Sequence, residues 1–300
     1  MLQVHLLRIS QAFSSTVGDI ALRDESLDPL LDLVDEVSRG EPGCLCGRLL
    51  GRYTVATLLN RPWSSLTFAK SSADGPTWCI QGHSASPVLD FNASHDSDLV
   101  VVASLLSPPP ALSRIGVDVM RIRNPWEDTV PLPISSTASP NTCTPASSVA
   151  EACPLTLPRR TMQLTAHELA ALATLPASEQ KLCHALALWT LKEAYVKAIG
   201  EGLHFDLQKV EFRLTLCTAG DKDGSASAGV GRRDGARMDG WRFSLVEVQG
   251  STGEEAYFLA LAEQARDAHD EVQLLPRGAS PDWVHEVDLV AIETLARNAE

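Results

Sequence analysis

The stretch ALALWTLKEAYVKAIGEGL, residues 185–203, decides the reading of this chain. Set on a helix at about 100° per residue it is apolar almost all the way round, which predicts a buried central helix over residues 179–199. Between Leu186 and Ile199 only Thr190, Lys192, Glu193 and Lys197 are polar. Thr190, Glu193 and Lys197 share one narrow arc. Glu193 and Lys197 suit an i,i+4 ion pair on a wet edge as readily as a functional pair. Lys192 stands apart, among Leu188, Trp189, Tyr195, Val196 and Ile199. An ammonium on an apolar face needs an anionic partner, because unpaired burial is expensive, and that partner can be a ligand.

Working outward, RIGVDVMRI (114–122) reads as a strand with Ile115, Val117 and Val119 on one face and Gly116, Asp118 and Met120 on the other. Gly116 leaves room for something large beside Asp118; the alternative is an edge strand with its polar side in water. LDFNASHDSDLVVVASLL (89–106) reads as two strands, Val88–Asn92 and Leu99–Leu106, with Ser94 and His95 at or beside the turn. A turn histidine can simply be solvated. GRLLGRYTVATLL (47–59) reads as a helix carrying Arg48 and Arg52 one turn apart, either solvated or forming a fork for phosphate oxygens.

The remaining pattern is α+β. Further helices are expected at 27–37 and 165–174, and strands at 209–216, 242–248 and 257–262. Residues 124–160, with seven prolines, and residues 218–240, rich in Gly, Ala, Asp and Arg, read as long loop insertions. A boundary at the Pro-rich segment 107–113 divides the chain into an N-terminal α+β subdomain, 1–113, and a C-terminal one, 114–300. At 300 residues neither part needs staples to bury a core. The opening MLQVHLLRISQAF reads as a strand rather than a signal peptide.

The seven cysteines form no CxxC pair, so reduced thiols in a cytoplasmic protein are expected and a zinc site is not. No apolar run approaches the roughly 18 residues of a membrane span. The formal charge of −13, from 38 acidic and 25 basic side chains, argues against general binding of nucleic acid or anionic membranes. That excess lies at the ends. Residues 1–41 hold eight acids and three bases, and residues 251–300 hold eleven and three. Residues 42–250 balance at 19 of each sign and contain every candidate site residue, so a local cationic cleft remains compatible with the composition.

In this order, FNASHDSDLVVVA, IGVDVM and WTLKEAYVKAIGEGL resemble the three motifs of 4′-phosphopantetheinyl transferases. The likeness is to the larger, monomeric surfactin-synthetase type that includes fungal and animal enzymes, and it runs over about residues 42–265. It implies two similar α+β subdomains related by pseudo-twofold symmetry, with coenzyme A between them. It also implies transfer of the phosphopantetheine arm of coenzyme A to a serine of an apo acyl or peptidyl carrier protein, releasing 3′,5′-ADP.

By the same resemblance, Asp118 and Glu193 would hold Mg²⁺, and Glu193 could also take the serine proton. Lys192 and Lys197 would meet the phosphates. Ser94 and His95 would contact the 3′-phosphate, Arg48, Arg52 and Lys70 would extend the cationic rim, and Gly116 would let the diphosphate approach. Two positions depart from the pattern. Met120 stands where a second acid is common, and KSSADGP (70–76) carries Gly75 where a lysine is usual. These keep two other readings in view: a coenzyme A or carrier-binding protein without catalysis, and a metal-dependent coenzyme A diphosphate hydrolase.

Overall fold

Residues 1–9, 42–70, 78–80, 88–107, 114–122, 163–176, 178–214, 229–250, 255–265, 271–275 and 281–297 are described by a computed structural model. The chain begins with β1 (Leu2–Arg8), α1 (Pro42–Leu59), β2 (Phe68–Lys70), β3 (Trp78–Ile80) and the hairpin β4 (Val88–Asp96) and β5 (Leu99–Ser107). It continues with β6 (Ile115–Arg121), α2 (Ala166–Thr174), α3 (Ser178–Ile199), β7 (Val210–Arg213), β8 (Gly229–Arg233) and β9 (Ala236–Arg237). The hairpin β10 (Trp241–Gln249) and β11 (Ala256–Gln264) follows, then β12 (Glu271–Leu275), β13 (Val284–Glu286) and α4 (Leu289–Arg297).

Two main sheets result. A four-stranded sheet has the order β13-β1-β5-β4, and a seven-stranded one the order β6-β11-β10-β12-β8-β7 with β9 beside β8; β2 and β3 form a separate pair. The α+β class follows. Strand β5 closes the first sheet and β6 opens the second. The C-terminal segment then crosses back: β13 pairs parallel with β1, setting Val284 opposite Val4, and Val287 and Ile292 join the core under α1. A division of the chain at 113/114 therefore separates β13 from the sheet it completes.

Strand β6 is buried on both faces. Ile115, Val117 and Val119 pack with Val4, Leu6, Leu99, Val101 and Ala103 of the first sheet, so the two sheets share one core. Its other face lies against α3. That helix is enclosed as its sequence demands: Leu186, Ala187, Leu188, Leu191, Ala194, Tyr195 and Val196 are all buried, with Phe212, Trp241 and Phe243 among their cluster. β6 is an edge strand of its sheet, as the alternative had it, but its Asp118 is buried and not in water.

One expected insertion carries strands among its described residues. Residues 229–237, read as loop, form β8 and β9, whose register sets Arg233 opposite Ala236. Asp234 and Gly235 make the turn with φ of 50° and 79°. Asp-Gly is a strong two-residue hairpin signal, because both positions need positive φ, and here it outweighs the polar composition around it. Residues 27–37 and 124–160 lie outside the described residues.

The first sheet also buries a titratable group. His5 of β1 sits beside Tyr53 and His285, with Nδ1 3.0 Å from Thr54 Oγ1. Thr54 gives its only hydrogen to Leu50 O at 2.8 Å, so it accepts from His5 Nδ1–H, which fixes the tautomer. Burial, aided by His285, pushes His5 down from 6.5 to about 4. The unfolded chain therefore binds a proton that the folded one refuses, and stability falls as pH drops from 6.5 towards 4. Urea denaturation should show the midpoint declining across that window. His5→Asn should flatten this decline.

Candidate functional site

The site begins with a missing side chain. A Cβ on Gly116 would stand 2.0 Å from the carbonyl oxygen of Ala194 and 2.5 Å from the amide nitrogen of Ala198. The space beside Gly116 is thus filled by the backbone of α3, not kept for a diphosphate as the sequence reading expected. This contact seats α3 on β6 one turn from Lys197. Gly116→Ala should force helix and strand apart, at about 1–3 kcal/mol or more for overpacking. The checks are a lowered thermal midpoint and loss of the Lys197–Asp118 contact in a structure of the variant.

Two residues further along the same face, Asp118 is buried in mid-strand. Its Oδ1 accepts from Lys197 Nζ at 2.8 Å and from Ser94 Oγ at 2.9 Å. Lys197 Nζ also donates to Ser94 Oγ at 2.8 Å, and Val119 N–H donates to the same oxygen at 3.3 Å. Residues of β4, β6 and α3 thus converge on one point. A hydroxyl has one hydrogen and two lone pairs. Here Asp118, Lys197 and Val119 take all three, so Ser94 positions Asp118 rather than standing open to a phosphate. The Lys197 side chain is 30% exposed, against 10% for Asp118.

Lys192 points elsewhere. It is fully buried, and its Nζ donates to Glu168 Oε2 at 2.6 Å, Gln163 O at 3.0 Å and Leu207 O at 3.1 Å. The anionic partner that the lone lysine requires is a protein carboxylate, and all three ammonium hydrogens are used. Glu168 in turn accepts from Phe212 N at 2.9 Å and Thr165 N at 2.8 Å. Burial pushes the Glu168 carboxyl up and the Lys192 ammonium down, while each resists the other's shift. Donors surround the carboxylate and acceptors surround the ammonium, the arrangement of a charged pair. The sequence reading passed over Glu168. The signal was available: Thr165 and Glu168 form a capping box at the start of α2.

Of the expected cationic rim, Arg52 is buried and structural. Its guanidinium donates to Trp63 O at 2.6 Å and lies against the Trp63 and Phe68 rings. Arg48 is partly exposed one turn earlier on α1. His95 is exposed near the end of β4, its ring so close to the start of α1 that a Cβ on Gly43 would meet Nδ1 at 2.7 Å. The hairpin turn is Ser97–Asp98, not His95–Asp98 as expected, and His95 sits in the strand opposite Val100. Lys70 ends β2, and its side chain lies outside the described residues. Glu193 is partly buried on α3, one turn before Lys197. Thr190, on the same arc, is buried and returns its hydroxyl to Leu186 O at 2.7 Å.

Among the described residues no three His, Cys, Asp or Glu side chains group as a metal cage. Asp118 and Glu193 offer hard carboxylate oxygens, and Met120, on the same strand face, offers only a thioether. Mg²⁺ is commonly held by one or two carboxylates completed by substrate phosphates and water. Buried Cys46 carries a thiol that burial pushes up to about 11, outside the reactive range. No described helix is long and apolar enough to cross a membrane.

Comparison with known proteins points to one family. A model described as the 4′-phosphopantetheinyl transferase superfamily matches residues 114–222, and one described as the N-terminal part of 4′-phosphopantetheinyl transferases matches residues 40–107. A 4′-phosphopantetheinyl transferase of Paxillus involutus is 30% identical over 214 residues, 68% of this chain and 66% of its own length. L-aminoadipate-semialdehyde dehydrogenase-phosphopantetheinyl transferases are 28% identical in Xenopus laevis, over 60% of this chain and 51% of theirs, and 26% identical in Homo sapiens, over 59% and 48%. The chain thus spans about half the length of these animal relatives. Ser94 falls in one matched region and Asp118 and Lys197 in the other, so the contact between β4, β6 and α3 joins both parts of the pattern. On these matches the chain belongs to the 4′-phosphopantetheinyl transferase superfamily.

Proposed function

We propose that this chain transfers the 4′-phosphopantetheine arm of coenzyme A to a serine hydroxyl of an apo acyl or peptidyl carrier protein, with Mg²⁺, and releases 3′,5′-ADP. The supporting observation is the convergence of Ser94, Asp118 and Lys197 from three elements, with Glu193 one helical turn away. Lys197, partly exposed, is suited to pair with a diphosphate oxygen through its third ammonium hydrogen while Ser94 and Asp118 hold the other two. Asp118 and Glu193 are the residues that would hold Mg²⁺. Bound there, the ion would neutralise charge on the phosphoryl oxygens and the leaving group. Glu193 is also the candidate to accept the serine proton, directly or through water. His95 and Arg48 remain candidates for the nucleotide's 3′-phosphate.

The chain order supports the two-subdomain reading. Strand, helix and hairpin recur as β1, α1, β4–β5 and as β6, α3, β10–β11, and each first strand pairs antiparallel with the second hairpin strand. A monomeric, cytoplasmic enzyme is the corresponding proposal. The names of the animal relatives make aminoadipate-semialdehyde dehydrogenase, and so lysine biosynthesis, one carrier context to include. The test follows 3′,5′-ADP from coenzyme A and Mg²⁺, with and without apo-carrier. Release only with carrier supports transfer. Release without carrier indicates the hydrolase, and calorimetric binding without release indicates the inactive binder.

A further inference from the structure

Among the described residues, strand β6 is the edge of its sheet, and its backbone pairs with β11 alone. The outward N–H groups on its other side would be unsatisfied, which is costly for buried donors. They are met by side chains of β4, one after another. Ile115 N–H donates to Asp90 Oδ2 at 2.8 Å and Val117 N–H to Asn92 Oδ1 at 3.4 Å. Val119 N–H donates to Ser94 Oγ at 3.3 Å and Arg121 N–H to Asp96 Oδ2 at 2.7 Å. Acceptor and donor stay 25 positions apart along all four rungs. The strands run in the same direction with equal rise, so one face of β4 reads every second amide of β6. This is a ladder in which side chains replace a backbone partner across the junction of the two sheets.

The third rung is Ser94, whose hydroxyl also holds Asp118 and Lys197. The two outer rungs are the shortest, and both are carboxylates. We propose that Asp90, Asn92 and Asp96 are positioning residues: they fix the register of β6 on β4 and thereby the place of Asp118 beside Ser94. Their described bonds to β6 are to its amides and none is to Lys197, and they act through the strand. The inference deepens the transfer reading above and rests on it for its kinetic consequence, but the ladder itself is a structural claim with its own readout. Asparagine at an outer rung keeps an oxygen acceptor for the N–H; alanine removes it.

The experiment compares Asp96→Ala with Asp96→Asn in the full chain. Amide hydrogen exchange is read at Ile115, Val117, Val119 and Arg121, alongside kcat and KM for coenzyme A and thermal stability. The expected result is faster exchange at Arg121 and Val119 in Asp96→Ala and a kcat lowered by about tenfold to a hundredfold. Asp96→Asn should restore both. Asp90→Ala and Asp90→Asn repeat the comparison at the other end, in case one alanine variant fails to fold. Wild-type exchange in both alanine variants overturns the ladder. Altered exchange with unchanged kcat, or a kcat that follows thermal stability without rescue by asparagine, overturns the positioning role. A wild-type chain that transfers nothing overturns the function proposed above, and it is seen before any variant is compared.

Discussion

Lys197→Ala should lower kcat/KM for coenzyme A by about a hundredfold to a thousandfold, the loss usual when one fixed donor to developing phosphoryl or oxyanion charge is removed. In the structure the Lys197 ammonium lies 2.8 Å from both Asp118 Oδ1 and Ser94 Oγ. It therefore has two tasks. It brings a fixed positive charge to the cluster, and it compensates the charge of a carboxylate that is only 7% exposed. Taking it away leaves Asp118 with Ser94 as its remaining described partner. Lys197→Arg should recover little, because a planar fork does not reproduce a compact ammonium reaching two oxygens at once. Circular dichroism and a thermal scan separate lost activity from lost fold. A variant that keeps wild-type kcat/KM would remove Lys197 from the site.

The second large effect is on stability. Lys192→Met should cost about 3–5 kcal/mol, since it leaves the Glu168 carboxylate buried without its counter-charge. That is a large share of the stability of an ordinary domain, about 5–15 kcal/mol. Glu168→Leu should cost as much or more, because Thr165 N and Phe212 N also lose their acceptor. The double variant, Lys192→Met with Glu168→Leu, should be less destabilised than the sum of the two, as no charge is then left alone. A double-mutant cycle from urea denaturation measures that coupling. The account of Lys192 as a structural residue would be wrong if Lys192→Met kept full stability while losing coenzyme A binding.

How far the sequence reaches is visible in these two lysines. Both lie on the helix that the apolar pattern of 185–203 locates, and that helix is observed as Ser178–Ile199. The alternation in 115–120 likewise places Ile115, Val117 and Val119 in one core and Asp118 on the opposite face. Local period is written in local sequence. What lies across the gap is not. Lys192 reads as a lysine short of an anion, and nothing in the local pattern links it to Glu168, its partner 24 residues earlier. Gly116 reads as room, but tertiary packing decides that the room is taken by α3. Arg52 reads as a free cation, yet it folds under Trp63 and Phe68. Ser94 was singled out by its motif, while its use of every hydrogen-bonding position follows only from β6 lying beside β4.

The measurement that tests the central claim most directly is the intact mass of an apo-carrier protein after incubation with the chain, coenzyme A and Mg²⁺. The account predicts that the carrier gains one phosphopantetheine group, and that it gains none when its acceptor serine is replaced by alanine. A carrier of unchanged mass, tested across fatty-acid, peptide-synthetase and aminoadipate-semialdehyde dehydrogenase carriers, would contradict it.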